Sequence, residues 1–150
     1  MQAVDISKYE ILEIPGKEHW GVLMHINSPL AKKKQIVPED LWDKPLIISR
    51  QESSRSLLSS WLKRDISELN VVATYNLLYN GSLMVEEVMG YALCLDHIIN
   101  TTGDSRLCFR PFSPQLELGV SLVWKRYQMF SKAAEKYLNF IRSHLEASMN

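Results

Sequence analysis

Polar side chains that could hold a small ligand follow three predicted buried strands in the middle of the chain. The segment Ser49-Arg50-Gln51 follows the first strand, Asn76 follows the second, and Asp96 follows the third. In an open parallel sheet, ligands bind beyond the carboxyl ends of the strands. The sequence therefore predicts a ligand site at that edge. Its predicted contacts are Ser49, Arg50, Gln51, Asn76, Asn80, Ser82 and Asp96.

The types of these side chains favour a small anion as the ligand. Arg50 carries a planar guanidinium that can hold a carboxylate through two parallel hydrogen bonds. Asn80 and Ser82 lie where a helix is expected to begin. For each of them, capping that helix and contacting a ligand are about equally expected roles. Helix N-termini offer free N–H groups and the positive end of the helix dipole. The expected ligand is a small acidic metabolite, held by amides, hydroxyls and a guanidinium.

Other roles compete for the same residues. Arg50 is as well placed in sequence to pair with Glu52 or another surface carboxylate as to touch a ligand. Ser53 or Ser54 is expected to cap the helix that follows, because serine is among the preferred N-cap residues.

Signatures of enzymes are absent from the sequence. There is no glycine-rich phosphate loop, no zinc-protease motif and no nucleophile elbow. The four histidines, His19, His25, His97 and His144, lack the spacing of metal ligands. Asp96 beside His97 is only a weak candidate for a proton-transfer pair, since neighbours in sequence need not face one site. We expect no enzyme activity, no bound metal and no cofactor.

Composition excludes several classes of partner. The 150 residues suit one domain, and the 17 basic residues balance the 17 acidic ones, so no global field favours nucleic acid or membrane surfaces. The one basic cluster, residues 32–34, is typical of a solvated loop. Cys94 and Cys108 lie in apolar runs and are expected to be free, small buried residues. No apolar stretch approaches the length of a membrane span and no secretion signal follows Met1, which predicts a soluble, cytoplasmic protein without membrane contact.

Predicted strands and helices alternate through the middle of the chain. Strands are expected at 19–26, 45–49, 71–75 and 91–95, with helices between the last three; an alternating run at 9–14 is expected to end at Pro15-Gly16. The second helix is expected from residue 80 or 81 to 89, with Gly90 as its stop. Two further strands and an amphipathic helix at 131–147 complete the chain. This alternation is typical of βαβ units and a parallel sheet.

Four segments, in order, resemble the effector-binding domain of LysR-type transcriptional regulators. "WGVLMHINSPLA" (20–31) resembles the strand that crosses into the second subdomain, and "VPEDLWDKPLIISRQ" (37–51) resembles the short helix and first central strand of that subdomain. "SLMVEEVMGYALCLD" (82–96) is similar to the family's helix-turn-strand with two glycines, and 107–145 is similar to its returning strands and C-terminal helix. Two positions depart from the pattern: Val88 replaces the first glycine and Asp96 replaces the usual proline.

The resemblance implies an α/β fold like that of periplasmic binding proteins. It implies the end of a first subdomain and a crossover strand in residues 1–24, a complete second effector-binding subdomain in 25–112, and a returning strand with the C-terminal helix in 113–150. The second subdomain holds a mainly parallel sheet, and the first subdomain is incomplete. The family's DNA-binding helix-turn-helix does not precede Met1, so the chain is expected to be a truncated domain that reaches DNA only through a part it lacks.

The implied function is to sense a small, anionic effector and thereby modulate transcription. A solute-binding protein of similar architecture and a small α/β enzyme acting on a carboxylate remain as alternatives. The apolar stripe of the last helix, which includes Tyr137, Leu138, Ile141 and Leu145, is expected to lack its usual partner strands. A homo-oligomer is therefore expected as well.

Overall fold

Strands and helices alternate along the chain in the order that the hydrophobic pattern predicts. The computed structural model describes residues 6–148. Four short 3-10 turns accompany nine regular elements. These are β1 (Tyr9–His25), β2 (Leu46–Ser49), α1 (Glu52–Leu62), β3 (Val71–Tyr75), α2 (Leu78–Glu86), β4 (Tyr91–Leu95), β5 (Leu107–Pro111), β6 (Glu117–Lys125) and α3 (Lys132–Ser148).

One sheet organises these strands in the order β3-β2-β4-β1-β5, and β6 also pairs with β1. Strand β2 is parallel to both β3 and β4, whereas β1 is antiparallel to β4 and β5. Of the five strands in that order, four therefore run in one direction. The predicted α/β fold with a mainly parallel sheet is confirmed.

Both faces of strand β2 are covered, which explains why its sequence does not alternate between apolar and polar residues. Leu46 and Ile48 pack in one core with residues of α1, and Ile47 packs in a second core with residues of α2. All three side chains have no exposed surface. A strand buried on both faces reads as a continuous apolar run.

The chain forms two compact units. The larger comprises Glu18–Leu118, and the smaller comprises the segments on either side of it. The sequence-based borders after residues 24 and 112 lie inside the larger unit. The division into subdomains at these two borders remains a prediction.

The smaller unit contains the start of β1, most of β6 and helix α3. In α3, Ala134, Leu138 and Ile141 are half-buried, whereas Tyr137 is 65% exposed and Phe140 is 67% exposed. The predicted apolar stripe thus exists, but Tyr137 lies outside its buried part. Among the described residues, no helix combines the length and the apolar character that crossing a bilayer would need.

Two local expectations about where an element begins or ends differ from the structure. Strand β1 continues through Pro15-Gly16 instead of ending there, with Gly16 at φ 108°. Helix α1 begins at Glu52 with Gln51 as its N-cap, so Ser53 and Ser54 lie inside the helix and do not cap it. Local propensity places such ends only to within a residue or two.

The second helix is also displaced from its predicted position. Helix α2 begins at Leu78, two residues before Asn80, and ends at Glu86, before Gly90 is reached. The residue that leaves the helical path is Val88, which has a positive φ of 58°. A left-handed residue at this position commonly ends a helix, and glycine usually supplies it.

Candidate functional site

A cleft opens where β2, β3 and β4 end, at the edge of the sheet that the strand directions favour for ligand binding. Its volume is about 240 Å³, and all of its lining residues belong to the larger unit. Polar groups come from the end of β2, the start of α1 and the residue after β3. Apolar groups come from β1, β3, β4, β6, the start of α2 and the loop after β4.

The polar lining consists of short amides and hydroxyls. Ser49 is almost fully buried, and its Oγ accepts a hydrogen bond from the Gln51 backbone N–H at 3.2 Å. Gln51 and Asn76 are exposed, and Ser54 is half-buried. These four side chains can donate and accept hydrogen bonds, but none of them carries a charge.

Two helix N-termini meet this cleft. Gln51 is the N-cap of α1 and Leu77 is the N-cap of α2, and both residues line the cleft. Neither N-cap side chain makes a capping hydrogen bond. The first N–H groups of a helix have no partner within it, and its dipole places partial positive charge at that end. The cleft is therefore suited to an anion or an oxygen-rich group even though its polar side chains are neutral.

The wall of the cleft is apolar and buried. Tyr75 is buried, and its hydroxyl donates to the Leu93 carbonyl oxygen at 2.8 Å. Burial raises the pKa of the Tyr75 hydroxyl, so this group stays a proton donor. Burial also raises the pKa of the Cys94 thiol to about 12, which keeps that thiol protonated and unreactive. These groups shape the cleft and do not supply chemistry.

The structure brings together three of the seven predicted contacts: Ser49, Gln51 and Asn76. Arg50 is exposed and does not line this cleft, while its backbone N–H donates to the Tyr75 carbonyl at 2.9 Å. Arg50 lies at a bend just after β2, and its neighbours Ser49 and Gln51 line the cleft while it does not.

The remaining three predicted contacts lie elsewhere. Asn80 and Ser82 lie inside α2, and the Ser82 hydroxyl donates to the Tyr79 carbonyl at 2.7 Å, so neither residue caps the helix. Asp96 accepts a hydrogen bond from the His97 backbone N–H at 2.8 Å, and its carboxylate lies 3.7 Å from His97 Nδ1. The His97 side chain is 82% exposed, so this pair does not form an enclosed acid–base site.

Ser54 and Trp20 are two of the lining residues that were not among the predicted contacts. Ser54 was interpreted as a helix cap, and an earlier helix start would have shown it to lie one turn into α1, beside Gln51. Trp20 lies on β1, far from the cleft in sequence, and only the pairing of β1 with β4 places it there. Nothing local to Trp20 indicates that role.

Within the part of the chain that is described, no three His, Cys, Asp or Glu side chains lie close enough together to hold a metal ion. Cys94 and Cys108 are both free, the first buried and the second half-buried.

The sequence profile of the LysR substrate binding domain matches residues 5–146. The chain belongs to this family. No protein with a curated description matches this LysR substrate-binding domain in sequence. The family is one of regulatory domains that bind effectors.

Solved structures of LysR-family regulators share this fold. HinK from Pseudomonas aeruginosa superposes with a TM-score of 0.76 at 15% identity, covering 96% of this chain and 51% of HinK. The effector-binding domain of QuiR, in complex with shikimate, gives 0.75 at 17% identity over 97% of this chain and 69% of that one. The regulatory domain of CcmR from Synechocystis PCC6803, in complex with 2-PG, gives 0.68 at 15% identity over 92% and 73%. The chain spans about half the length of HinK.

Proposed function

We propose that this LysR substrate-binding domain senses a small, oxygen-rich metabolite in the cleft at the ends of β2, β3 and β4. One observation carries the proposal. The N-termini of α1 and α2, which have no side-chain cap, meet Ser49, Gln51 and Asn76 around one apolar floor. Apolar pockets with a few convergent polar groups are the usual form of a small-molecule site. Binding of shikimate by QuiR and of 2-PG by CcmR supports an effector of this size.

The ligand class follows from the cleft. Because the polar side chains are neutral, the N–H groups at the start of α1 and α2 are the donors that favour negative charge. A carboxylate or a cluster of hydroxyls fits such donors. We therefore propose a small anionic or polyhydroxylated effector, with Ser49, Gln51, Ser54 and Asn76 as the contacting side chains.

The regulatory output belongs to the longer protein of which LysR substrate-binding domains are part. We propose that effector binding alters DNA binding through a helix-turn-helix domain outside this chain. The equal numbers of basic and acidic residues, 17 each, are consistent with a domain that does not contact DNA itself. We also propose cytoplasmic localisation, in keeping with a role in transcription.

A thermal-shift screen with small carboxylates and polyols tests the cleft. A ligand that binds only the native state adds about 2.7 kcal/mol of stability at one hundred times its Kd, so weak binders register. For a hit, Gln51→Ala and Asn76→Ala should each weaken binding roughly threefold to tenfold, the loss of one net hydrogen bond. Arg50→Ala is the matched control, because this neighbouring side chain lies outside the cleft lining.

The variants separate the two placements of the site. Weaker binding in the Gln51 and Asn76 variants with an unchanged Arg50 variant supports the cleft. Loss of binding in Arg50→Ala alone would show that the effector binds on the other side of this segment and would overturn our assignment. Turnover of any carboxylate in the screen would favour the enzyme alternative instead.

A further inference from the structure

A second and larger cavity lies at the opposite end of the parallel strands. Its volume is about 580 Å³. Pro45 and Gly90, which precede β2 and β4, line it together with His25 at the end of β1. The effector cleft lies at the other end of the four-residue strand β2, roughly 13 Å away. The cavity shares no lining residue with that cleft.

The floor of this cavity is apolar and is held by a close backbone contact. Val85 at the floor has no exposed surface. The Tyr91 N–H donates to the Pro45 carbonyl at 2.9 Å, and a Cβ at Gly90 would lie 2.7 Å from the same carbonyl oxygen. Only glycine permits that approach, so Gly90 fixes the shape of the floor.

Hydrogen-bond donors surround the apolar floor. His25 Nδ1 accepts from the Asn27 backbone N–H at 3.2 Å, so a neutral His25 ring carries its proton on Nε2 as a donor. The Tyr91 hydroxyl and Ser28 Oγ lie 2.9 Å apart, and both residues line the cavity. Among the residues that line the cavity, Lys44 contributes a full positive charge at neutral pH.

Lys44 has a partner that a ligand can displace. Its Nζ lies 2.8 Å from Asp43 Oδ1, and the Asp43 side chain is 77% exposed. Exposed ion pairs of this kind contribute little net stability, because water competes for both charges. A carboxylate placed on the apolar floor would meet Lys44 in a less hydrated position than Asp43 offers.

Val88 supplies an independent indication of function at this cavity. It lines the cavity, is 71% exposed, and has a φ of 58°, a conformation in which a β-branched residue is strained. A glycine at this position would relieve the strain and remove the side chain. An exposed apolar side chain kept in a strained conformation is explained if a ligand covers it.

We propose that this cavity is a second ligand site, for an amphipathic monocarboxylate whose apolar body lies on Val85 and Val88. Its carboxylate is held by Lys44, with the donors of His25 and Tyr91 beside it. Ligand binding at this second site does not depend on ligand binding in the effector cleft.

2-Naphthoate is the probe, and 2-naphthalenemethanol is its uncharged control. Binding is located by backbone amide chemical shifts, which should move at Gly90 and Tyr91 and stay unchanged at Gln51 and Asn76. Lys44→Ala should weaken naphthoate binding by at least about tenfold, the loss of a charge-assisted hydrogen bond, and leave the alcohol unchanged. Asp43→Ala breaks the same ion pair but keeps the ammonium, so it should bind naphthoate at least as tightly as the unmodified chain.

Val88→Gly should change affinity and stability in opposite directions. It removes the apolar wall, which weakens binding of both probes, and it relieves the backbone strain, which raises Tm by about 2–4 °C. Naphthoate that fails to saturate below about 1 mM, shifts confined to Gln51 and Asn76, or equal losses of both probes in Lys44→Ala would each overturn the proposal. So would a Val88→Gly variant that binds both probes as tightly as the unmodified chain.

Discussion

Trp20 and Trp61 form a matched pair that tests how a single buried N–H group affects stability. Both side chains belong to the same core and are nearly equally buried, with 5% and 7% of their surfaces exposed. Trp61 Nε1 donates to the Pro114 carbonyl oxygen at 2.7 Å. In contrast, Trp20 Nε1 is buried without a hydrogen-bond partner within the described part of the chain.

Replacing each tryptophan with phenylalanine separates the N–H contribution from packing. Both substitutions remove a similar number of apolar atoms, which costs on the order of 1 kcal/mol in each variant. Trp61→Phe also loses a net hydrogen bond of about 0.5–1.5 kcal/mol, whereas Trp20→Phe removes an unsatisfied donor whose burial costs about 1–3 kcal/mol. We therefore expect the free energy of unfolding of the Trp20→Phe variant to be higher than that of the Trp61→Phe variant by about 1.5–4.5 kcal/mol. The Trp20→Phe variant should be about as stable as the unmodified chain, or more stable.

Urea unfolding followed by far-ultraviolet circular dichroism measures this difference without depending on tryptophan fluorescence. Equal m-values in the two variants would show that the change lies in stability and not in the extent of unfolding. Equal destabilisation by the two substitutions would refute the reasoning. It would mean that Trp20 Nε1 finds a partner in solution, such as a bound water.

Three further predictions address backbone approach, burial and association. Gly90→Ala should destabilise the domain by about 1–3 kcal/mol in chemical denaturation, because its Cβ would meet a backbone carbonyl at 2.7 Å; Gly119→Ala, with no atom within 4 Å of the added Cβ, should be near neutral. Because the pKa of Cys94 is raised from 9.0 to about 12, its contribution to stability is complete below pH 9 and is lost as the pH rises toward 12; Tm should fall over that window, and less so in Cys94→Val. The exposed aromatic side chains of Tyr137 and Phe140 should mediate self-association, so light scattering should find a smaller mass after both are changed to glutamate; an unchanged mass would exclude this surface.

The order of elements was readable from the sequence because the signals for it are local. The apolar run of β2 and the proline directly before it, Pro45, indicate a strand without reference to the rest of the chain. The same signals misplace the ends of α1 and α2 by about two residues. For α1, a start capped by a serine competes with an earlier start that tertiary packing favours. Local propensity does not decide between these two start positions.

The candidate site was only partly predictable for a related reason. The edge of the sheet where the cleft lies follows from the alternation of strands and helices, and the predicted contacts Ser49, Gln51 and Asn76 line that cleft. Which of several neighbouring polar side chains point into the cleft depends on the direction of each at the end of its strand. Arg50, at the bend just after β2, does not line the cleft, whereas its two neighbours do.

The sequence by itself determined the class of fold, the family resemblance and the edge of the sheet that carries the cleft, because hydrophobic periodicity and turn residues act over a few positions. Only the tertiary structure decided what depends on residues far apart in the chain. The pairing of β1 with β4 brings Trp20 to the cleft, and the approach of Gly90 to Pro45 shapes the second cavity. The positive φ of Val88 likewise appears only in the folded chain, where the backbone leaves α2 through a conformation that is unfavourable for valine.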